Sequence, residues 1–512
     1  LVGRFIKRSS EVIIFIASIA LLGFSIYARV LLNSVAGKIL VYKIGGWMPP
    51  FGISLVMDGL SSFMLVTVNL IAFFVAVYSL SYMNQYTDKP KFFTLFSLMV
   101  CGMNGVIITG DLFNLYVFLE IASIASYALV AFGTEAEELE ASFKYAIMGS
   151  VASAFIFIGI AFLYSFTSTL NMADMARILA YKQNAWVIPF VGVLFLMGFG
   201  LKSALVPFHA WLPDAHPSAP ASISAMLSGI LIKTLGVYAL IRIFFNIIGS
   251  THGFLEILMF LGVVSMLTAV VLALSQWDLK RLLAYHSISQ IGYVVLGIGL
   301  GTPLGVLGGL FHLFNHSVFK SLLFLNSGSV DYAAGTRDLK ETGGLGKLMP
   351  VTAKTNLIAS MAIAGIPPFN GFFSKAIIII ACLQKGNTGY AICAVVGSIL
   401  TLASFMKVQK FVFLGEIKDK LNPSQKSQSF GPMDECKLLF AREGASVFKP
   451  RGSTNIKEAP FAMLFSVVCL AVICVLGGLM LLPSLRFFLD DAVTVVLKGT
   501  SYAGAVLEAA SK

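Results

Sequence analysis

The stretch LKSALVPFHAWLPDAHPSAPASISAMLSGILIKTLGVY, residues 201–238, decides the fold. It joins two apolar segments, roughly 186–207 and 220–246, each long enough as a helix to cross about 30 Å of hydrocarbon. Pro207, Pro213, Pro217 and Pro220 interrupt the chain where the two meet, and Lys202 and Lys233 lie in the flanking segments. Proline removes a backbone donor and breaks a helix. Inside a bilayer such a break is tolerated only where protein or a water-filled cavity surrounds it. A broken helix flanked by lysines at membrane depth therefore reads as the interior of a polytopic membrane protein.

The rest of the chain follows the same pattern. Thirteen apolar stretches reach spanning length, roughly 11–32, 58–83, 91–110, 111–133, 141–165, 186–207, 220–246, 253–275, 279–302, 303–330, 350–382, 390–414 and 459–482. Segments this long and apolar satisfy their backbone only as helices, so an all-α fold of about 13–14 transmembrane helices is expected. The 512 residues are 57% hydrophobic and 12% charged, where soluble domains carry about 25% charge. Mean hydropathy is +0.87.

A net charge of +11 would suggest nucleic acid in a soluble protein, but here it follows the positive-inside rule. With the N-terminus inside, Arg4, Lys7, Arg8, Lys89, Lys91, Lys280, Arg281, Arg337, Lys340 and Lys347 fall on the inner side. The outer loops receive little beyond Lys38, Lys43, Arg177, Lys182 and Lys385. The six cysteines form no CxxC pair and no metal spacing, so iron–sulfur, haem and disulfide frameworks are not expected in this chain.

A second break reads IAGIPPFNGFFSKA, residues 363–376. Pro207-Phe208-His209-Ala210-Trp211 aligns with Pro368-Phe369-Asn370-Gly371-Phe372, sharing a proline, a phenylalanine, a small residue and an aromatic. Interrupted helices at corresponding places in two halves are the trace of an internal repeat with ion sites near the breaks. The chain then divides into N-terminal helices and an outer segment (1–90), a first repeat (91–246), a second repeat (253–414), a polar inner loop (415–458) and a C-terminal helix and tail (459–512). Residues 33–57 read as a short outer hairpin or re-entrant lid, given Gly45, Gly46, Pro49 and Pro50. The 415–458 loop reads as a disordered segment or a docking surface for a soluble partner.

An ionisable group at the bilayer centre costs about 2.5–3.5 kcal/mol on insertion scales, yet these spans hold a series. Glu120 lies mid-span, Lys202 precedes the first break, and Lys233 sits at the centre of its segment. His312, His316 and Lys320 stand at i, i+4 and i+8, on one face of one helix. Lys375 closes the second break. One such histidine would read as a satisfied core residue; three stacked titratable groups read as a relay. Glu120 and Lys202 have opposite signs, as a static ion pair or as a switch whose partner moves away. Asp214 and His216 border the first break as candidate entrance groups. Arg29 and Arg242 lie near span ends and are expected to snorkel to the interface. No P-loop, dinucleotide fingerprint, HExxH or nucleophile–base set appears, so no catalytic, cofactor or metal site is expected in this chain.

At these residues the chain resembles the antiporter-like subunits shared by respiratory complex I, Mrp-type sodium/proton antiporters and membrane-bound hydrogenases. The likeness rests on GGWMPPFGISLVMDGLSS (45–62), TGDLFNLYVFLE (109–120), residues 201–238, DLKRLLAYHSISQIGYV (278–294), FHLFNHSVFKSLLFLNSG (311–328) and GIPPFNGFFSK (365–375). The first two look most like the branch of D-type Mrp subunits, which includes the large antiporter-like subunit of archaeal membrane-bound hydrogenase. The resemblance implies two inverted five-helix repeats among fourteen helices; thirteen spans fit if the first family helix is absent from this sequence. It implies a proton path through Glu120, Lys202, Lys233, His312, His316, Lys320 and Lys375. Gln290 departs from relatives that place a histidine there, which leaves His286 as the nearest candidate bridging group.

The resemblance also implies a proton-translocating subunit, with or without sodium coupling, of a multi-subunit complex in a prokaryotic plasma membrane. Its partners would be other membrane subunits and peripheral redox subunits, with nickel–iron and iron–sulfur centres in those partners if the complex is a hydrogenase. The alternatives are a D-type subunit of an Mrp antiporter with no redox partner, a complex I-type pumping subunit, and a scaffold that conducts nothing.

Overall fold

The computed structural model describes residues 9–86, 88–181, 186–416 and 456–511. Each of the thirteen apolar stretches is helical. Among the described residues, ten helices are long and apolar enough to cross a membrane by length and composition. They are α1 (Ser9–Ser34), α2 (Gly59–Gln85), α3 (Lys89–Ile108), α4 (Leu112–Val130), α5 (Ala136–Thr167), α9 (Ala221–Ile247), α10 (His252–Leu274), α11 (Leu279–Gly299), α15 (Thr388–Phe413) and α16 (Phe461–Leu481). Between them run α6 (Met172–Tyr181), α7 (Val187–Lys202), α8 (Leu212–Ser218), α12 (Pro303–Ala334), α13 (Pro350–Ala364) and α14 (Asn370–Gln384). The tail forms α17 (Pro483–Leu497) and α18 (Tyr502–Ser511).

Both expected breaks are present. The first span stops at Lys202 and resumes as α8 at Leu212, with Val206–Pro207 in cis. The stretch read as 350–382 is two helices, α13 and α14, separated by residues 365–369, with Pro367–Pro368 in cis. The segment after each break winds partly as π-helix: Leu227–Leu231, Lys233–Tyr238 and Arg242–Ile247 in α9, and Gln409–Phe413 at the end of α15. π-helical turns are rare and concentrate at functional sites.

Burial separates two classes of helix. The apolar window of α1 is 17% buried, whereas that of α9 is 100% and that of α11 is 94% buried. The helices most enclosed by protein are therefore the ones that carry lysine, histidine and glutamine, as the cost of intramembrane charge requires.

The outer segment is a β-hairpin: β1 (Leu40–Lys43) pairs antiparallel with β2 (Ser54–Met57). α17 and α18 lie against its side of the molecule, where the Lys43 ammonium donates to Ala510 O at 3.0 Å. The positive-inside rule expects this side to face outward.

Two expectations fail here. Arg29 and Arg242 do not snorkel: they are 5% and 7% exposed. Arg29 pairs with Asp491 of the tail at 2.5 Å, and Arg242 with Asp58 at 2.6 Å. Their carboxylate partners lie 462 and 184 positions away along the chain, so a local reading of span ends could not pair them. The polar inner loop falls, over 417–455, outside the described residues.

Candidate functional site

The row begins where α7 ends. Leu205 N–H closes on Gly200 O at 2.9 Å, a turn that stops the helix and leaves Lys202 at its last position. The break is held by stacked rings. Tyr145 lies parallel to Trp211 with centroids 4.3 Å apart, and the Trp211 indole donates to Leu201 O at 3.0 Å.

Lys202 Nζ lies 3.7 Å from Glu120 Oε1 on α4, beyond a good hydrogen bond. It donates instead to Ser123 Oγ at 2.9 Å, with the Tyr127 hydroxyl at 3.5 Å. The Glu120 carboxylate is bonded by the Ser153 hydroxyl of α5. Each member of the pair thus has its own hydroxyl partner. The ammonium is 4% exposed and the carboxylate 26%, so the acid faces the more open side.

Lys233 is completely buried on α9. Its ammonium donates to Ser228 O at 2.8 Å and to Gly229 O, backbone carbonyls one turn back. No carboxylate is bonded to it among the described residues. α9 is tied to α11 by the Ser228–Ser287 hydroxyl pair at 2.6 Å and to α12 by Ser321 Oγ on Ala225 O at 3.2 Å.

On α12, the expected face of His312, His316 and Lys320 is fully buried. The His312 and His316 rings stack at 6.3 Å with planes 16° apart. His312 Nε2 lies 3.2 Å from Gln290 Oε1 and its Nδ1 2.9 Å from Ser374 Oγ. The amide oxygen accepts, so this contact needs the ring proton on Nε2, while the Ser374 hydroxyl also lies 3.2 Å from Gly371 O, to which it donates. By contrast, both nitrogens of His316 and the Lys320 ammonium have no hydrogen-bond partner among the described residues. Buried polar atoms are paired in the great majority of cases. His316 and Lys320 are two such exceptions one turn apart on the same face.

Lys375 ends the row on α14. It donates to Ile363 O at 2.8 Å, a carbonyl near the broken C-terminus of α13, and lies 4.6 Å over the Tyr293 ring. Helix ends leave such carbonyls without intrahelical partners, so the break itself supplies the acceptor.

The flanking candidates are placed differently. Asp214 is 28% exposed and forms ion pairs with Lys144 at 3.3 Å and Arg281 at 3.2 Å. His216 is buried between the Trp211 and Phe324 rings, 6.1 and 5.8 Å away, with neither nitrogen bonded. His286 turns toward α15, where Nε2 meets Ser404 Oγ at 2.8 Å. The group that reaches His312 from α11 is Gln290. Sequence reasoning missed Ser123, Tyr127, Ser153 and Ser374; the only signal was a hydroxyl three residues from Glu120 and another beside Lys375.

The transmembrane family described as NADH:quinone oxidoreductase/Mrp antiporter matches residues 109–401, which span the row from Glu120 to Lys375. The chain belongs to this family. Residues 47–93 match a second description, the N-terminus of chain 5 of NADH-ubiquinone oxidoreductase (complex I). The chain is 37% identical over 403 residues to the D-type subunit of a Na(+)/H(+) antiporter from Alkalihalophilus pseudofirmus, covering 78% of this chain and 81% of that one. Among solved structures it resembles a chain of the Mrp complex from a Dietzia species, with a TM-score of 0.85 at 29% identity, covering 98% of this chain and 95% of that one. It also resembles a chain of the membrane-bound sulfane sulfur reductase, an archaeal respiratory membrane complex, with a TM-score of 0.85 at 28% identity, covering 99% and 96%. It is a multi-pass, antiporter-like membrane subunit of the kind that builds Mrp and complex I-like assemblies.

Proposed function

We propose that this chain translocates protons across a prokaryotic plasma membrane as one subunit of a multi-subunit, energy-converting complex. The observation that carries the reading is Lys202, whose ammonium bonds Ser123 while Glu120 stands 3.7 Å away. A buried ammonium is stabilised by its carboxylate and destabilised by desolvation. Movement between the two acceptors therefore changes how tightly its proton is held. The carbonyl-solvated Lys233, His316 and Lys320, and Lys375 at the second break continue the series, and among the described residues none of them has a carboxylate counter-ion.

Within such a complex, electron transfer would take place in partner subunits. Nickel–iron and iron–sulfur centres would lie there if the assembly is a membrane-bound hydrogenase, and the energy would reach this chain as a displaced ion pair. The likeness to a subunit of a respiratory membrane complex supports a redox partner. The 37% identity to a D-type Na(+)/H(+) antiporter subunit supports the second reading, a sodium/proton antiporter subunit with no redox module.

The test is Lys202→Ala in the assembled complex, purified from its own membrane and reconstituted. Proton uptake should vanish while the subunit composition is unchanged. Wild-type uptake by an assembled variant would overturn the proposal. The subunits that co-purify separate the two readings: nickel–iron or iron–sulfur proteins indicate the redox complex, and membrane subunits alone the antiporter.

A further inference from the structure

At the outer end of α9 the chain buries a second set of polar groups, outside the row just described. Asp58 precedes α2 and is fully buried. Arg242 Nη2 lies 2.6 Å from both of its oxygens, and Ser61 N–H donates to it at 2.9 Å. The phenol of Tyr502, on tail helix α18, also donates to Asp58. Arg242 Nε donates to the Tyr238 hydroxyl at 3.0 Å, which donates onward to Ile107 O at 2.5 Å. Asn246 accepts from Arg242 at 3.3 Å and donates to Val495 O at 2.9 Å.

Stability alone does not explain this cluster, because a buried ion pair is seldom better than apolar residues of the same volume. Its position on α9 is informative. Lys233, Tyr238, Arg242 and Asn246 follow one another at spacings of five, four and four. In an α-helix, at 100° per residue, the last would lie on the far side from the first. Hydrogen bonds of the i→i+5 type turn the chain less per residue. α9 is π-helical over Lys233–Tyr238 and Arg242–Ile247. Tyr238, Arg242 and Asn246 share one face, joined by hydrogen bonds, and the looser winding turns Lys233 toward that face rather than away from it.

A cavity of about 30 Å³ adjoins the cluster, lined by Thr109, Arg242, Asn246 and Tyr502 with Val56 and Met172. At about 10–15 Å³ of such space per water, it has room for two. Its lining is mostly apolar, and the polar groups on it are those of Thr109, Arg242, Asn246 and Tyr502.

We propose that Asp58, Arg242 and Tyr502 form the outer release gate of the proton path, with the tail's Tyr502 as its outermost carrier. This rests on the proton-translocating reading above. A proton arriving along the Lys233 face protonates Asp58, which loosens its hold on Arg242. The Tyr502 phenol passes one proton to water in the cavity and takes one from Asp58, so carboxylate and phenol both return to their starting states.

The test compares four variants of the reconstituted complex. Tyr502→Phe keeps the ring and removes the carrier; proton transport should fall roughly ten-fold, with Tyr502→His restoring much of it. Lys43→Ala loosens the tail at Ala510 without touching the cluster and should transport as wild type. Lys202→Ala serves as control for the underlying reading. If Lys202→Ala is inactive while Tyr502→Phe transports at the wild-type rate, the gate is wrong and the reading stands. An equal loss in Lys43→Ala and Tyr502→Phe would also overturn the gate, because tail docking rather than the hydroxyl would then matter. If Lys202→Ala itself transports normally, the underlying reading fails.

Discussion

Lys202 and Glu120 are neighbours without a close bond: 3.7 Å separates the ammonium from the carboxylate, and Ser123, at 2.9 Å, is the nearer partner of the lysine. A static structural pair would have closed to about 2.7–2.9 Å, the length of charge-assisted bonds. One extra hydroxyl thus gives the lysine a second acceptor beside the carboxylate.

Removing that hydroxyl should close the pair. In Ser123→Ala the ammonium has Glu120 as its remaining strong partner, so the variant should assemble normally and transport several-fold more slowly. Transport equal to wild type would mean that the serine does not take part.

Lys320 separates function from stability. Its ammonium is buried and has no hydrogen-bond partner among the described residues, and an unsatisfied buried polar group costs about 1–3 kcal/mol, more when charged. Lys320→Met is similar in length and apolar. The variant should therefore unfold at a higher temperature in detergent and fail to transport. A lower unfolding temperature would show that the lysine is a structural support.

Gln290 is predicted to orient His312. Its amide oxygen accepts from Nε2 at 3.2 Å, and Gln290→Leu leaves the ring free to turn about its Ser374 contact. Transport should fall about ten-fold, the scale expected for a misplaced proton-transfer group. Gln290→His, which can again bond the ring, should recover part of it. Equal rates in all three proteins would rule out an orienting role.

Much of this was legible in the sequence, and the limit has a physical form. Prolines 207 and 368, and charges set in apolar runs, are local facts, so the breaks and the row from Glu120 to Lys375 can be read along the chain. The partners of those charges are not local. Arg242 reads as an interfacial residue until Asp58 and Tyr502, 184 and 260 positions away in the chain, are seen against it. The π-helical winding of α9 is likewise invisible to a reading that assumes 3.6 residues per turn. His286 was the obvious ring to fill the position taken by Gln290, but it faces Ser404 on α15.

The pair made by Asp58, just ahead of α2, should also set acid stability. Burial pushes this carboxyl up, but the Arg242 guanidinium outweighs it, and together with Tyr502 and Ser61 holds Asp58 below the usual carboxylate range. A depressed folded-state pKa contributes stability that is present above the unfolded value of about 3.9 and is lost as pH falls through the folded one. Asp58→Asn leaves Arg242 buried and unpaired, at a loss of about 3–5 kcal/mol near neutral pH. The gap between variant and wild type should narrow below about pH 4. Unfolding in detergent across that range tests both statements; a gap independent of pH would contradict the linkage.

The most direct measurement is proton uptake by the reconstituted complex carrying Lys233→Met, since Lys233 lies on the fully buried helix between the two breaks. The expected result is a complex of unchanged composition whose proton movement does not exceed vesicle leak. Uptake at the wild-type rate would contradict it, because the buried row would then be structure and not path.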